Sequence, residues 1–260
     1  MATAKTPQKP AFRKSAKPSA KKGAKAGAGA SRAASPAGDI RSREPSIAGL
    51  IARKLEEDIV LGRRHPRERL VEHDLSADFD THRGDVRLAL FELEKKGIVQ
   101  RIPNRGAIVR DLTPTEVSEI YAVREEVEVM AVRILPFPVP KAHIERLEAL
   151  QREHSKAVDA NDLLGIFYSN IRFHRALYGL CGNTCLIETI EHLAQKVSCI
   201  RSYAHLKSGS LDGVRQEHVE MIAMLRNSRR DDLMALTRRH LKPAPEAYIA
   251  AYRQRFGDGI

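Results

Sequence analysis

Apolar positions along the chain fall at helical spacing, then at strand spacing, then at helical spacing again. Ile47, Leu50, Ile51, Leu55 and Ile59 share one helix face, with Ser46 placed to cap that helix and Gly62 to close it. His65-Pro66-Arg67 reads as a connector into Leu70. Leu75 and Phe79 define a short amphipathic helix with Glu72 in its first turn, where a carboxylate favours the positive end of the dipole. Val86, Ala89, Leu90 and Leu93 recur at i, i+3, i+4 and i+7, and Gly97 ends that helix in the left-handed region, where a residue without Cβ is cheapest. Ile98-Val99 and Ala107-Ile108-Val109 then read as two strands about a Pro103-Asn104-Arg105-Gly106 turn. Three helices and a basic-tipped hairpin predict a winged helix-turn-helix over residues 46–112.

Past Asp111 the pattern is almost wholly helical. Thr113, Pro114 and Glu116 spell a capping box with proline at the first helical position. Val117, Ile120, Tyr121, Val127, Met130 and Ile134 then supply an expected core stripe, which Pro136, Pro138 and Pro140 terminate. Further helices read at 141–159, 162–180, 184–205, 211–227, 229–241 and 244–256, with Ser228 and Asp231 as a second capping box. The fold class is therefore mainly α, a winged helix-turn-helix followed by an all-helical bundle over residues 113–260.

Charge changes the picture by its location. Residues 1–45 hold eleven Lys/Arg against two Asp/Glu, a net +9 of the chain's +11. That segment has almost nothing large and apolar to bury, so it reads as a disordered basic tail. The remainder carries only +2 and must concentrate basic residues locally to hold nucleic acid. Three cysteines without a CxxC pair suit reduced thiols in a cytoplasm, packed as small hydrophobes. No apolar run is long enough for a membrane span.

The start of the second helix of a helix-turn-helix enters the major groove, and Arg83 and Arg87 share one face there. Each has the fork geometry to bond guanine or grip a phosphate. Arg105 stands at the wing tip, where Gly106 permits close approach. His73 is placed to add a phosphate contact, and His82 stands at the groove-facing start of the helix. In the helical body, Asn170 and His174 project from one helix face, while His218 and His240 lie on later helices. Three imidazoles and a carbonyl oxygen would suit a divalent transition metal. Among ten histidines, chance pairs are many, and spacing alone favours ordinary surface or core roles over a metal site.

Two resemblances bear on these candidates. Residues 47–112 resemble the N-terminal domain of the GntR family of bacterial transcription regulators, whose Ser-Arg-Thr-Pro-Val-Arg-Glu-Ala-Leu run aligns with His82 to Leu90. Both arginines, the valine and the Ala-Leu pair are kept, and Asn104-Arg105-Gly106-Ala107 matches the wing. His82, Gly84 and Asp85 depart from the pattern, Arg67 replaces the usual glycine, and Leu88 and Phe91 replace polar residues and are expected to add packing. Residues 115–256 resemble the all-helical effector domain of the FadR subgroup, the FCD domain, through Tyr121 to Glu128, Asn170-Ile171-Arg172-Phe173-His174, Gly182-Asn183, Glu217-His218 and His240-Leu241. That resemblance implies a metal, zinc or nickel first, held by Asn170 (where the family has Asp), His174, His218 and His240. It further implies a small organic acid effector bound by the metal with Arg124, and with Arg201 and Arg172 as weaker candidates. A homodimer on a near-palindromic operator, and repression relieved by the effector, complete the expectation.

Two other readings remain. The three histidines would suit a metal-dependent hydrolase with Glu217 as base, against which no second acid or nucleophile motif stands nearby. A nucleoid-type binder driven by the basic tail would hold DNA without sequence preference.

Overall fold

The computed structural model describes residues 46–103, 105–200 and 211–257. The basic tail, Asn104 of the wing turn, Arg201 and the far end of the expected 184–205 helix lie outside the described residues. Helix α1 (Ile47–Val60) is capped as anticipated, the Gly49 N–H donating to Ser46 Oγ at 3.1 Å. It buries Ile51, Leu55 and Ile59, whereas Ile47 and Leu50 are exposed. Helix α2 (Glu72–Asp78) and helix α3 (Arg83–Lys95) pack on it through Leu75, Val86, Ala89, Leu90 and Leu93. Gly97 closes α3 with φ +72°, so the left-handed stop read from sequence is present.

The wing is a three-stranded antiparallel sheet in the order β1 (Arg69–Leu70), β3 (Gly106–Val109), β2 (Val99–Ile102). Strand β1 pairs Leu70 with Ala107. Its two residues carry no alternation, so the sequence showed only a connector there. Gly106 has φ +91°, and a Cβ on it would lie 2.1 Å from the Leu70 carbonyl oxygen. The glycine at the wing therefore serves the β1–β3 contact first, since both its conformation and the space around it exclude a side chain.

Leu88 and Phe91 do not add core packing. Leu88 is exposed, and Phe91 lies on the surface beneath Lys95 Nζ, 4.4 Å from its ring centre. The α3 positions facing the core are already filled, which leaves these two on the opposite side.

Helix α4 (Pro114–Ile134) starts with the full Thr113–Glu116 capping box. It is followed by α5 (Lys141–Asp159), α6 (Leu163–Gly179), α7 (Thr184–Lys196), α8 (Leu211–Arg226), α9 (Arg230–Leu241) and α10 (Pro243–Phe256). Asp162 caps α6 and Asn183 caps α7 through side-chain oxygens. The core phase of α4 differs from expectation. Val117, Tyr121, Val129, Ala131 and Val132 are buried, while Met130 and Ile134 are exposed. The expected cap at Ser228 is also corrected. Ser228 has φ +55° and ends α8, so the residue before α9 is Arg229, with no side-chain cap. Of the cysteines expected to pack, Cys199 does, but Cys185 is exposed.

The winged element and the helical body meet across a third apolar cluster containing Leu112, Tyr248 and Tyr252, with Cys199 packed against both it and the reader core. Tyr248 Oη donates to Asp111 Oδ1 at 3.1 Å and to the Leu112 carbonyl at 3.0 Å. Arg67 adopts φ +67°, which explains why glycine is usual at that place. Its guanidinium donates to Asp111 at 2.8 Å and lies 4.6 Å from the Phe256 ring centre. No described helix is long and apolar enough to cross a membrane.

The wing geometry predicts that Gly106→Ala costs about 3 kcal/mol, from a left-handed backbone plus a steric clash. Thermal or urea unfolding of the two proteins side by side measures it. Equal midpoints would show that the close approach of β1 to β3 is dispensable.

Candidate functional site

Three imidazoles from three helices meet inside the helical body. His174 comes from α6, His218 from α8 and His240 from α9. His174 Nε2 lies 3.3 Å from His218 Nε2 and 3.1 Å from His240 Nε2. Two nitrogens bound to one tetrahedral zinc at ~2.0–2.1 Å would stand about 3.3 Å apart. The spacing of the imidazoles is thus that of a ligand set, although neutral imidazoles gain nothing by facing their lone pairs at each other.

The groups behind the rings settle which nitrogens face inward. Gln151 on α5 donates its Nε2 to the Arg215 carbonyl at 3.2 Å, which orients the amide and leaves Oε1 to accept from His218 Nδ1 at 2.9 Å. Glu217 Oε2 accepts from His240 Nδ1 at 2.6 Å. Both imidazoles therefore carry their proton on Nδ1 and present a lone pair at Nε2, the form that binds metal. Phe173 stacks on the His218 ring with centres 4.1 Å apart and fixes its plane. Burial acts to raise the Glu217 carboxyl, and its bonds from His240 and Arg239 more than offset this, leaving its pKa below the ordinary value.

Asn170 sits one turn before His174 on α6. It is buried, and its Oδ1 has no hydrogen-bond partner among the described residues. A buried amide oxygen without a donor costs about 1–3 kcal/mol, so Asn170 Oδ1 is an acceptor open to a further partner. A cation meets that need, and the residues present fit a divalent metal.

A cavity of about 120 Å³ adjoins the cluster through His174. Arg124 lines it and is buried, held by Glu128 Oε1 through Nε at 3.0 Å and Nη2 at 2.8 Å. Tyr178 Oη donates to the other Glu128 oxygen at 2.7 Å. Burial acts to lower the Arg124 pKa, and the adjacent Glu128 charge more than offsets it, so the guanidinium stays charged. Its Nη1 is buried without a hydrogen-bond partner among the described residues. The ion pair and the cavity-facing position, alternatives at first sight, are both realised by the one side chain. Arg175 also lines this cavity and pairs with Glu191 at 2.7 Å. Arg172 does not line it, bonding instead to Glu153 at the surface. Arg201 lies outside the described residues. The wall is completed by Glu56, from helix α1 of the winged element.

Sequence reasoning missed Gln151, Arg175 and Glu56. None lies in a motif, and each is recruited by packing between elements far apart in the chain. His154 was missed too. It is fully buried, with its ring centre 5.1 Å from that of His218 and its Nδ1 3.0 Å from Ser169 Oγ.

On the winged element, Arg83, Arg87 and Arg105 are exposed, as are His73 and His82. Arg83 Nη2 donates to His73 Nδ1 at 3.0 Å, and Arg87 Nε donates to Glu72 at 2.7 Å. Gly106 is buried beneath the tip. Asp85 accepts from the Thr81 hydroxyl at 3.1 Å, so its carboxylate is engaged at the helix start rather than aimed outward alone. These exposed pairs are worth under about 1 kcal/mol each, little enough for a phosphate to displace them.

Glu217→Gln is expected to weaken zinc or nickel binding about 10–100-fold, because it removes the charge that orients and enriches His240. Titration against a chromogenic chelator reads this directly. Unchanged affinity would mean that the carboxylate does not act through the imidazole.

Family comparison agrees with both halves. The model for bacterial regulatory proteins of the gntR family matches residues 48–109, and the FCD domain model matches residues 119–243. The HTH-type transcriptional repressor RspR of Escherichia coli (strain K12) is 24% identical over 210 residues, 80% of this chain and 91% of that protein. A GntR transcriptional regulator structure from Rhodococcus sp. RHA1 superposes with TM-score 0.66 at 23% identity, covering 79% of this chain and 99% of that one. That of Escherichia coli McbR/YncC gives 0.64 at 22%, covering 81% and 99%. The chain belongs to the GntR family of bacterial transcription regulators, with an N-terminal helix-turn-helix and a C-terminal FCD domain.

Proposed function

We propose that this regulator senses a small organic acid in the cavity beside the three histidines and answers by changing its grip on DNA. The observation that carries this reading is the cavity itself. It joins the His174 cluster, the spare donor of Arg124 and the Glu56 carboxylate of the reader in one wall. Asn170, His174, His218 and His240 would hold a divalent metal, zinc or nickel, which as a Lewis acid would supply positive charge to a carboxylate oxygen. Arg124 Nη1 offers the second contact, and Tyr178, bonded to Glu128, keeps that arginine aligned.

Coupling to DNA follows from charge. Glu56 accepts from Lys96 Nζ at 2.5 Å, just past the C-terminal end of α3. An anion entering the cavity repels Glu56 and biases α1 and α3 against their present placement. A ligand can shift the equilibrium only by its differential affinity for the two placements. Release of DNA, hence a repressor relieved by its effector, is the direction this repulsion favours. RspR, named a repressor, accords with it.

On the DNA side, Arg83 and Arg87 would enter the major groove and Arg105 the backbone or minor groove beside the wing, with His73 and His82 flanking. A cytoplasmic homodimer would place two readers on a near-palindromic operator. The hydrolase reading loses its base, since Glu217 is held by the His240 nitrogen that faces away from the other imidazoles. The nucleoid-type reading rests on residues 1–45, which lie outside the described residues.

Metal content and ligand response test the sensing half. Protein purified without chelator should carry about one metal per chain, and the His218→Ala/His240→Ala double variant almost none. A panel of small carboxylates and sugar acids should raise the melting temperature of the first protein only. Equal metal in both proteins would end this half of the account. For the reading half, Arg83→Ala should cost about 1–3 kcal/mol of operator affinity if it bonds a base. If it bonds only phosphate, the salt slope should fall by about one. Fluorescence anisotropy at several salt concentrations separates the two, and no change in either would remove Arg83 from the interface.

A further inference from the structure

Helix α3 buries Val86, Ala89, Leu90 and Leu93 and turns another face away from that core. Gly84, Leu88, Phe91 and Lys95 follow one another at intervals of four, three and four residues, so they form one strip down this outer face. All four are exposed. Leu88, at 57%, is the most open large apolar side chain among the described residues, and Phe91 beside it is 40% exposed. An apolar residue exposed singly needs no explanation. Two neighbours on the outer face of the helix that carries Arg83 and Arg87 do.

The surroundings of the strip say what it meets. Arg83 and Arg87 run along one side of it, and Glu92 along the other. At its far end the Phe91 ring carries two cations. Lys95 Nζ lies 4.4 Å from the ring centre, and the Arg101 guanidinium, from strand β2, lies 5.7 Å away. Arg101 also faces Glu94 at 3.8 Å, a long and exposed pair that a phosphate can replace. Helix and wing thus bring positive charge to the same apolar surface, as a polyanion requires. At the near end a Cβ added to Gly84 would have nothing within 4 Å, so the helix start is open to close approach. A duplex presents phosphates on either side of its base edges, which matches cations flanking an apolar strip. The apolar group that the major groove offers is the 5-methyl of thymine.

We propose that Leu88 is a base-reading residue that packs on the 5-methyl group of a thymine in each operator half-site, with Phe91 beside it excluding water. The assignment rests on the groove reading of Arg83 and Arg87 and adds what the apolar part of that helix recognises. Its chemistry differs from theirs. An arginine fork bonds guanine or phosphate, whereas an aliphatic side chain gains only where a methyl group takes the place of water. Leu88 replaces a polar residue of the family pattern, so the preference belongs to this chain rather than to the fold.

Selection from a random duplex library with the full chain supplies the operator. Its thymines are then exchanged one at a time for deoxyuridine, which lacks only the 5-methyl group. Fluorescence anisotropy is expected to show a position in each half-site where the exchange weakens wild-type binding about fourfold, the amount that burying one methyl group contributes. Leu88→Ala should bind the thymine duplex more weakly, by about fourfold or more, and lose the difference between thymine and uracil there. Its melting temperature should be unchanged, since the side chain is exposed. Arg83→Ala, by contrast, should bind more weakly yet keep that difference. A Leu88→Ala protein that still distinguishes the two duplexes, or a selected half-site in which no thymine responds, would overturn the role of Leu88. A wild-type chain that selects no sequence would remove the groove reading beneath it.

Discussion

A charged or hydrogen-bonding group taken out of water must find close partners, and the helical body is arranged around a set of such obligations. Arg124 and Glu128 on α4 are answered by Tyr178 on α6. His218 on α8 is answered by Gln151 on α5, and Gln151 in turn by a carbonyl of α8. Apart from the Arg124–Glu128 pair within α4, these partners lie on different helices from the groups they satisfy, so the polar contacts help fix how the helices register. Leaving one partner out would strand a buried charge or amide, which costs more than the bond itself contributes. Among the described residues, the buried polar atoms that make no hydrogen bond include the Asn170 oxygen, one turn from His174, and one nitrogen of Arg124, a residue that lines the cavity.

The same economy joins the two halves of the molecule. Arg67 holds a backbone conformation that disfavours any side chain, and its guanidinium bridges Asp111 and the Phe256 ring. Tyr168 Oη on α6 reaches Glu57 on α1 at 3.1 Å, and Arg53 lies 5.1 Å from the Tyr168 ring centre. Desolvation, then the Glu57 charge, push the Tyr168 hydroxyl up to about 12, so it remains a donor. The winged element is therefore seated on the helical domain by these polar contacts beside a shared apolar cluster. Contacts of this kind suit a joint with two placements close in energy better than a permanent weld.

Where the reading of the sequence went wrong, the errors share a cause. Periodicity identifies a helix and its apolar positions but not which of two apolar stripes faces the core. On α4, Val117, Tyr121, Val129 and Val132 face inward while Val123, Met130 and Ile134 face out. Both stripes are apolar, so hydropathy could not choose between them. Ser228 looked like a cap because serine three residues before an aspartate usually is one. The close succession of α8 and α9 instead used it as the left-handed end of the first helix. Strand β1 was invisible because a two-residue strand has no pattern, only a partner.

Local physical chemistry determined the elements and their ends. Ser46, the Thr113–Glu116 box, Gly97, and the i, i+3, i+4 spacing of Val86, Ala89 and Leu90 act over a few residues, so the sequence alone suffices to see them. It also determined the winged reader with its exposed arginines, and it named the three histidines that meet. What only the tertiary structure decided are the contacts made across long stretches of chain. These are Gln151 and Glu217 holding the imidazole protons on Nδ1, Arg175 beside Arg124, and Glu56 in the wall of the cavity. Such contacts depend on how the helices pack, which no short window of sequence contains.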